Sequence, residues 1–158
     1  MIDVGQIAPA FCLSNQEGVD VSLEDFSGTW LILYFYPKDN TSGCTREALD
    51  FTASRKDFEK LNAAVLGISP DSVKSHEKFA ERNELDIPLL SDPEHQSLES
   101  YGSWGKKKMY GKEFMGVIRS TVVIDPRGKI AATWDKVKVD GHVEEVMQTL
   151  IKLQAELD

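Results

Sequence analysis

The segment Trp30-Leu31-Ile32-Leu33-Tyr34-Phe35 constrains this chain more than any other. Its composition and length suit a strand buried on both faces, as in the middle of a helix-covered sheet. Pro37 stops the strand, because proline has no N–H to give to a ladder. A polar loop through Lys38-Asp39-Asn40-Thr41-Ser42-Gly43 follows, and Glu47-Ala48-Leu49-Asp50-Phe51 opens a helical pattern. Cys44 therefore falls where a strand gives way to a helix. Thr41 and Ser42 are candidate caps, and Gly43 permits close backbone approach. A thiol at a helix N-terminus faces unpaired N–H groups and the positive end of the helix dipole. Both favour the thiolate, the reactive form.

The rest of the chain supplies elements to surround that strand. Ala10-Phe11-Cys12-Leu13 and Val19-Asp20-Val21 read as a hairpin across Asn15-Gln16-Glu17-Gly18. Ser22 to Phe26 reads as a capped helical turn. Ala48, Phe51, Phe58 and Leu61 give the helix after Cys44 an apolar face. Ala64 to Ser69 is a second buried strand. Pro70-Asp71 opens the next helix, with Val73, Phe79 and Ala80 inward. Ile87 to Leu90 reads as a short strand, Gln96 to Tyr101 as a brief helix, and Gly102 to Gly116 as a long surface loop. Arg119 to Ile124 and Lys129 to Trp134 form a hairpin across Asp125-Pro126-Arg127-Gly128, with proline and glycine where a type I turn prefers them. A last helix from about Asp140 turns Val143, Val146, Met147, Leu150, Leu153 and Leu157 to the core. This order implies an α/β fold, a mixed central sheet flanked by helices with an N-terminal β-hairpin extension. The thioredoxin fold is compatible with it, as are other α/β sandwiches.

The 158 residues suit one domain spanning 1–158, and 41% hydrophobic content is enough for a packed core. A net charge of -8 argues against sequence-independent nucleic-acid binding. Met1 to Gly5 shows no basic stretch leading into an apolar run, so no signal peptide or membrane helix is expected. With 2 Cys in all, a disulfide scaffold is excluded, and a cytoplasmic location with a catalytic thiol fits better.

Cys44 is the candidate nucleophile, against the alternative of a buried cysteine serving as a small hydrophobe. The Thr41 hydroxyl can both accept and donate a hydrogen bond; it can equally be a simple cap. Backbone N–H groups of Gly43 and Cys44 are placed to bind developing negative charge. Arg119, at the start of an apolar strand, reads by itself as an edge-strand charge in solvent. Glu47 complements the helix dipole or pairs with a nearby base. Cys12 reads as a structural strand thiol with buried flanks. His76, His95 and His142 are scattered without metal-ligand spacing, so no metal site is expected. No histidine stands out as the partner a Cys–His hydrolase would need.

The run Tyr34-Phe35-Tyr36-Pro37-Lys38-Asp39-Asn40-Thr41-x-Gly43-Cys44-Thr45-x-Glu47 resembles the active-site signature of peroxiredoxins, and within them the PrxQ, or bacterioferritin comigratory protein, subfamily. Gly5-x-x-Ala8-Pro9-x-Phe11-x-Leu13, Tyr101-Gly102-x-Trp104, Tyr110-Gly111-Lys112 and Gly116 to Thr121 resemble it too, so the likeness spans nearly the whole chain. The resemblance implies a thioredoxin-like fold and a thiol-dependent peroxidase acting on hydrogen peroxide and organic hydroperoxides. It implies that Cys44 is the peroxidatic thiol, that Thr41 contacts the peroxide, that Pro37 shields the thiolate and that Arg119 reaches Cys44. No organic cofactor or metal is implied. Ser42 stands where many members have proline, and Leu49 where two-cysteine members carry the resolving cysteine. A one-cysteine cycle reset by thioredoxin, glutaredoxin or a small thiol is therefore expected, in a monomer or a dimer, the former favoured. Cys12 is the only internal resolving candidate. A disulfide exchanger is disfavoured because Thr41 replaces the first cysteine of a Cys-x-x-Cys pair. A binding module without turnover is disfavoured by the intact Pro37, Thr41, Cys44 and Arg119 set.

Overall fold

The computed structural model describes residues 1–157. Its centre is β3 (Trp30–Phe35), all six residues of which are buried. Before it, β1 (Cys12–Ser14) and β2 (Asp20–Ser22) form the N-terminal hairpin, and a 3-10 turn spans Leu23–Phe26. In that turn the Asp25 carboxylate accepts from the Ser22 N–H, as the capping reading expects. After β3 come α1 (Ser42–Lys60), β4 (Ala63–Ser69), α2 (Val73–Asn83), β5 (Leu89–Ser91), α3 (Gln96–Ser100), β6 (Trp104–Met109), β7 (Lys112–Val117), β8 (Ser120–Ile124), β9 (Ile130–Trp134) and α4 (His142–Leu157).

Five strands make the central sheet in the order β5-β4-β3-β8-β9. β4 runs parallel to β3 on one side and β8 antiparallel on the other, so the sheet is mixed. The period of two divides β3 between two cores. Trp30, Ile32 and Tyr34 pack with Phe51 and Phe58 of α1, Phe79 of α2 and Val146 and Leu150 of α4. Leu31, Leu33 and Phe35 pack with Phe11, Leu98 and Tyr101 beneath the N-terminal arm and α3. The flanking helices and mixed sheet are those the element order implies.

The structure corrects the sequence reading in four places. Residues Gly102 to Gly116 are not a loop: β6 and β7 pair as an antiparallel ribbon. Its turn is Tyr110-Gly111, both at positive φ (52° and 77°), as a two-residue hairpin requires. Lys106, Lys108, Met109, Phe114 and Met115 are all exposed, so the strands lack the apolar alternation that would reveal them. Second, α2 starts at Val73, because the Ser72 hydroxyl accepts from Ser75 N–H and makes the cap; Pro70-Asp71 precede it. Third, Leu157 is exposed, because α4 outruns the core it covers. Fourth, Cys12 is exposed, because its neighbours Phe11 and Leu13 turn inward and a strand alternates.

Gly67 of β4 lies against the ring of Tyr34 on β3. A Cβ there would come within 2.7 Å of the phenol, which is fully buried. Gly67→Ala should therefore cost roughly 1–3 kcal/mol as overpacking. A urea midpoint unchanged from wild type would show that the ring can move aside.

Candidate active site

Cys44 sits in the first turn of α1, after the loop that leaves β3 at Tyr36. Thr41 occupies the N-cap position, but its side chain caps nothing; the hydroxyl donates to the Lys38 carbonyl at 2.8 Å. The Cys44 side chain is buried, at 1% exposure. Its sulfur receives a hydrogen bond from Arg119 Nη2 at 3.2 Å. The same guanidinium donates from Nη1 to Glu47 Oε1 at 2.7 Å. One cation thus joins the sulfur to a carboxylate one turn along α1. Arg119 immediately precedes β8, and the Phe35–Ser120 register delivers it to the end of β3 where Cys44 lies. That position is internal to the sheet, so the reading of Arg119 as an edge charge in solvent does not hold. Gly43 makes room: a Cβ there would approach Arg119 Nη2 to 3.3 Å.

The electrostatics follow from burial. Burial opposes the Arg119 charge, but Glu47 and Cys44 outweigh it and hold the guanidinium above its usual value. Burial pushes the Glu47 carboxyl up from 4.5 to about 7, against the pull of Arg119. Its Oε2 has no hydrogen-bond partner among the described residues. His142 opens α4 nearby. Burial first and Arg119 second lower it to about 4, and its Nε2 meets the Thr121 hydroxyl at 2.7 Å. No described histidine hydrogen-bonds Cys44, whose partner is Arg119.

A second polar group holds the loop from behind. Asp39, buried, accepts from Tyr36 Oη (2.6 Å) and Ser75 Oγ (2.8 Å), and its Oδ2 lies 2.7 Å from His76 Nδ1. Asp39 N–H donates to Asp71 Oδ2 at 2.8 Å, which also accepts from Ser69 Oγ. His76 Nε2 faces the Leu90 carbonyl at 3.1 Å. The sequence reading scattered the histidines and missed this assembly. The cluster of Asp39, Asp71 and His76 has ligand-type atoms within 4.8 Å of one another, but each is already engaged in hydrogen bonds. A signal existed: His76 stands three residues before Phe79 and four before Ala80, on the inner face of α2.

The AhpC/TSA family profile matches residues 4–133. The chain belongs to that family. It is 48% identical over 149 residues to the peroxiredoxin Bcp of Bacillus subtilis, covering 94% of this chain and 95% of that one. A Xylella fastidiosa PrxQ mutant superposes with a TM-score of 0.90 at 38% identity, over 100% of this chain and 99% of the other. Peroxiredoxin Q of Xanthomonas campestris gives 0.86 at 42% identity, over 90% of each chain. The fold and the enzyme class are thus those of a peroxiredoxin of the Bcp/PrxQ type, a thiol peroxidase.

Of the residues singled out in the sequence of this peroxiredoxin, Cys44, Arg119, Glu47 and Gly43 come together directly. Thr41 and Pro37 flank them on the loop, exposed and half-buried respectively. Cys12 does not join them. It belongs to the N-terminal hairpin, whose Phe11 and Leu13 pack into the core on the opposite face of the sheet from Cys44.

The raised Glu47 value fixes a pH dependence. Between about 4.5 and 7 the native carboxyl holds a proton that the unfolded chain has released. Its contribution therefore favours folding below that window and is lost as pH rises through it. Glu47→Gln should abolish this component, worth roughly 2–3 kcal/mol across the window. The stability difference between wild type and Glu47→Gln isolates it, because His142, which works in the opposite sense, is common to both. A difference that stays constant from pH 4.5 to 8 would mean that Glu47 titrates normally.

Proposed function

We propose that residues 1–158 act as one catalytic domain in which Cys44 is the attacking thiol of the peroxidase. The observation that carries this is Arg119 Nη2 at 3.2 Å from a buried Cys44 sulfur. A fixed cation at that distance stabilises negative charge on sulfur and, as peroxide enters, on oxygen. The Cys44 thiolate attacks one peroxide oxygen, the O–O bond breaks, and an S–O bond forms to give the sulfenic acid. The departing oxygen takes a proton and leaves as water or an alcohol. Gly43 and Cys44 N–H groups and the Thr41 hydroxyl bind the peroxide, and Pro37 keeps water from the sulfur. The pair of thiolate and peroxide is complete in electrons, so the cycle needs neither metal nor organic cofactor. Hydrogen peroxide and organic hydroperoxides are the substrates; the bacterioferritin comigratory protein of Xanthomonas campestris, 40% identical, is described for alkyl peroxide reduction.

Reduction falls to an external thiol. Leu49 occupies the exposed face of α1 and offers no sulfur, and Cys12 is tied to the other face of the sheet. An external thiol condenses with the sulfenic acid, releasing water and forming a mixed disulfide. A second thiol from a thioredoxin, a glutaredoxin or a small-thiol pool then releases Cys44. Among the described residues, no helix is long and apolar enough to cross a membrane. We place the enzyme as a monomer acting in the cytoplasm on small peroxides, and its net charge of -8 argues against a nucleic-acid partner. An atypical two-cysteine cycle through Cys12 is the second reading, favoured only by the exposure of that thiol.

Cys44→Ser should abolish peroxide turnover and leave the fold intact; retained turnover would move the chemistry elsewhere. Arg119→Met keeps much of the bulk and removes the charge. It should lower the second-order rate with hydrogen peroxide by roughly 10²–10³, measured by stopped flow. Cys12→Ser should keep nearly full turnover with a small-thiol donor. After one equivalent of peroxide without donor, mass spectrometry should find a dimedone adduct on Cys44. A rapidly formed Cys12–Cys44 disulfide would establish the second reading instead.

A further inference from the structure

No step at Cys44 uses the β6–β7 ribbon, which is a two-stranded sheet of its own outside the central five strands. Its base is fixed. The Trp104 indole stacks on the His95 imidazole with ring centroids 3.7 Å apart, Ile118 N–H donates to the Ser103 carbonyl, and the Ser103 and Ser120 hydroxyls meet at 2.6 Å. Two residues beyond the end of β7 stands Arg119, whose guanidinium holds the Cys44 sulfur. Residues 106–115, the outer part, are exposed except for half-buried Lys107.

That outer part has an unusual composition for a surface in water. Of the eleven large hydrophobic side chains exposed among the described residues, Met109, Tyr110, Phe114 and Met115 fall within seven consecutive positions. A single exposed apolar side chain is ordinary, but a cluster marks a contact surface. Lys106, Lys107, Lys108 and Lys112 surround the four, against Glu113 alone, in a chain of net charge -8. The five ion pairs among the described residues use none of these lysines. Lysine also keeps a free sheet edge from pairing with other strands. Charge alone serves that role, and it gives no reason for four large hydrophobic side chains beside it. Hydrophobic side chains fringed by uncommitted positive charge complement an apolar patch fringed by carboxylates.

On the reading that peroxide oxidises Cys44 and an external thiol resets it, we propose that the outer β6–β7 ribbon is the docking surface for a protein dithiol donor whose thiols lie in an apolar patch bordered by Asp and Glu. A six-residue strand is roughly 20 Å long, less than the width of a small domain, so a partner seated on the ribbon reaches its Arg119 end, where Cys44 lies. The first partner thiol condenses with the Cys44 sulfenic acid, forming an S–S bond and releasing water. The second partner thiol attacks that bond, which returns Cys44 as a thiol and leaves the partner as its disulfide. Two electrons pass from the donor to the sulfenic sulfur. The ribbon residues touch neither peroxide nor the reacting sulfurs; they raise the encounter rate and hold the complex.

The test compares two donors on the full-length protein: an acidic thioredoxin, and N-acetylcysteine, which is too small to need a docking surface. Lys106→Glu with Lys108→Glu reverses the charge. Tyr110→Asn removes the tip ring and puts at that positive φ a residue that tolerates it. With thioredoxin, kcat/KM should fall about tenfold or more for the charge reversal, through KM, and by less for Tyr110→Asn. Raising salt from about 20 to about 300 mM should slow the wild type and bring it towards the charge-reversed variant. Turnover with N-acetylcysteine, and the second-order rate of Cys44 oxidation by hydrogen peroxide, should stay as in wild type. An unchanged kcat/KM with thioredoxin would overturn the docking role. So would a wild type that turns over no faster with thioredoxin than with N-acetylcysteine at equal thiol concentration. Equal losses with both donors would overturn it too, since they mark a damaged site. Binding of wild type to phosphatidylglycerol vesicles, lost in the charge-reversed variant while thioredoxin turnover is unchanged, would assign the ribbon to a membrane surface instead. Peptide mapping of peroxide-treated wild type decides the underlying reading separately: oxidation found away from Cys44 would remove it, whatever the variants do.

Discussion

The guanidinium of Arg119 is the interaction on which the site depends. It is one charge shared between a sulfur at 3.2 Å and a carboxylate at 2.7 Å, largely out of water. A carboxylate alone behind the sulfur would repel the thiolate; a lone buried arginine would carry its desolvation cost uncompensated. Together they form a set that tolerates negative charge at Cys44. Its geometry is not local. Glu47 and Cys44 are three residues apart on α1, so the helix fixes their spacing. Arg119 arrives from 72 and 75 residues away, and only the pairing of β8 with β3 brings it there.

That dependence explains the rigidity of the sheet around β3. Its six residues are buried from both sides, and Tyr34 stacks on Phe51 of α1 with ring centroids 4.6 Å apart. A shift of α1 along the sheet would move Cys44 and Glu47 together but leave Arg119 behind. Close packing between β3 and α1 therefore sets the sulfur–guanidinium distance, and the core belongs to the chemistry as much as to stability.

How much of this was legible follows from what each signal reports. Apolar runs report burial, so β3, β4 and the face of α4 could be read from residue type alone. The Pro37–Cys44 loop announced itself through its strand, its breaker and its helix. The target of Arg119 could not be read by pattern, because a charge ahead of an apolar strand points to solvent until strand order is known. The β6–β7 ribbon escaped for the reverse reason: with both faces largely in water, its strands need no alternation. Cys12 was readable and misread, since Phe11 and Leu13 facing inward requires the residue between them to face out. Asp39 gave no signal, being one polar residue in a polar loop. His76 gave one only through its place on the face of Phe79.

The division between an apolar framework and a polar loop has a mechanical reason. Apolar contacts are non-directional, and they give way only when surface is exposed to water. Held by such contacts alone, the Cys44 loop would open only by breaking core. Hydrogen bonds and ion pairs hold a geometry to within a fraction of an ångström, yet on opening most of their groups recover partners in water, so the net cost per bond is about 1 kcal/mol. A loop fastened by Asp39 to Tyr36, Ser75 and His76 is thus held by directional bonds, with Phe51, Phe58 and Phe79 packed in the core beneath it. Segments fastened mainly by hydrogen bonds are in general less stable than the packed core beside them. The polar ties thus give the Cys44 loop its geometry, while the apolar residues beneath it hold the sheet.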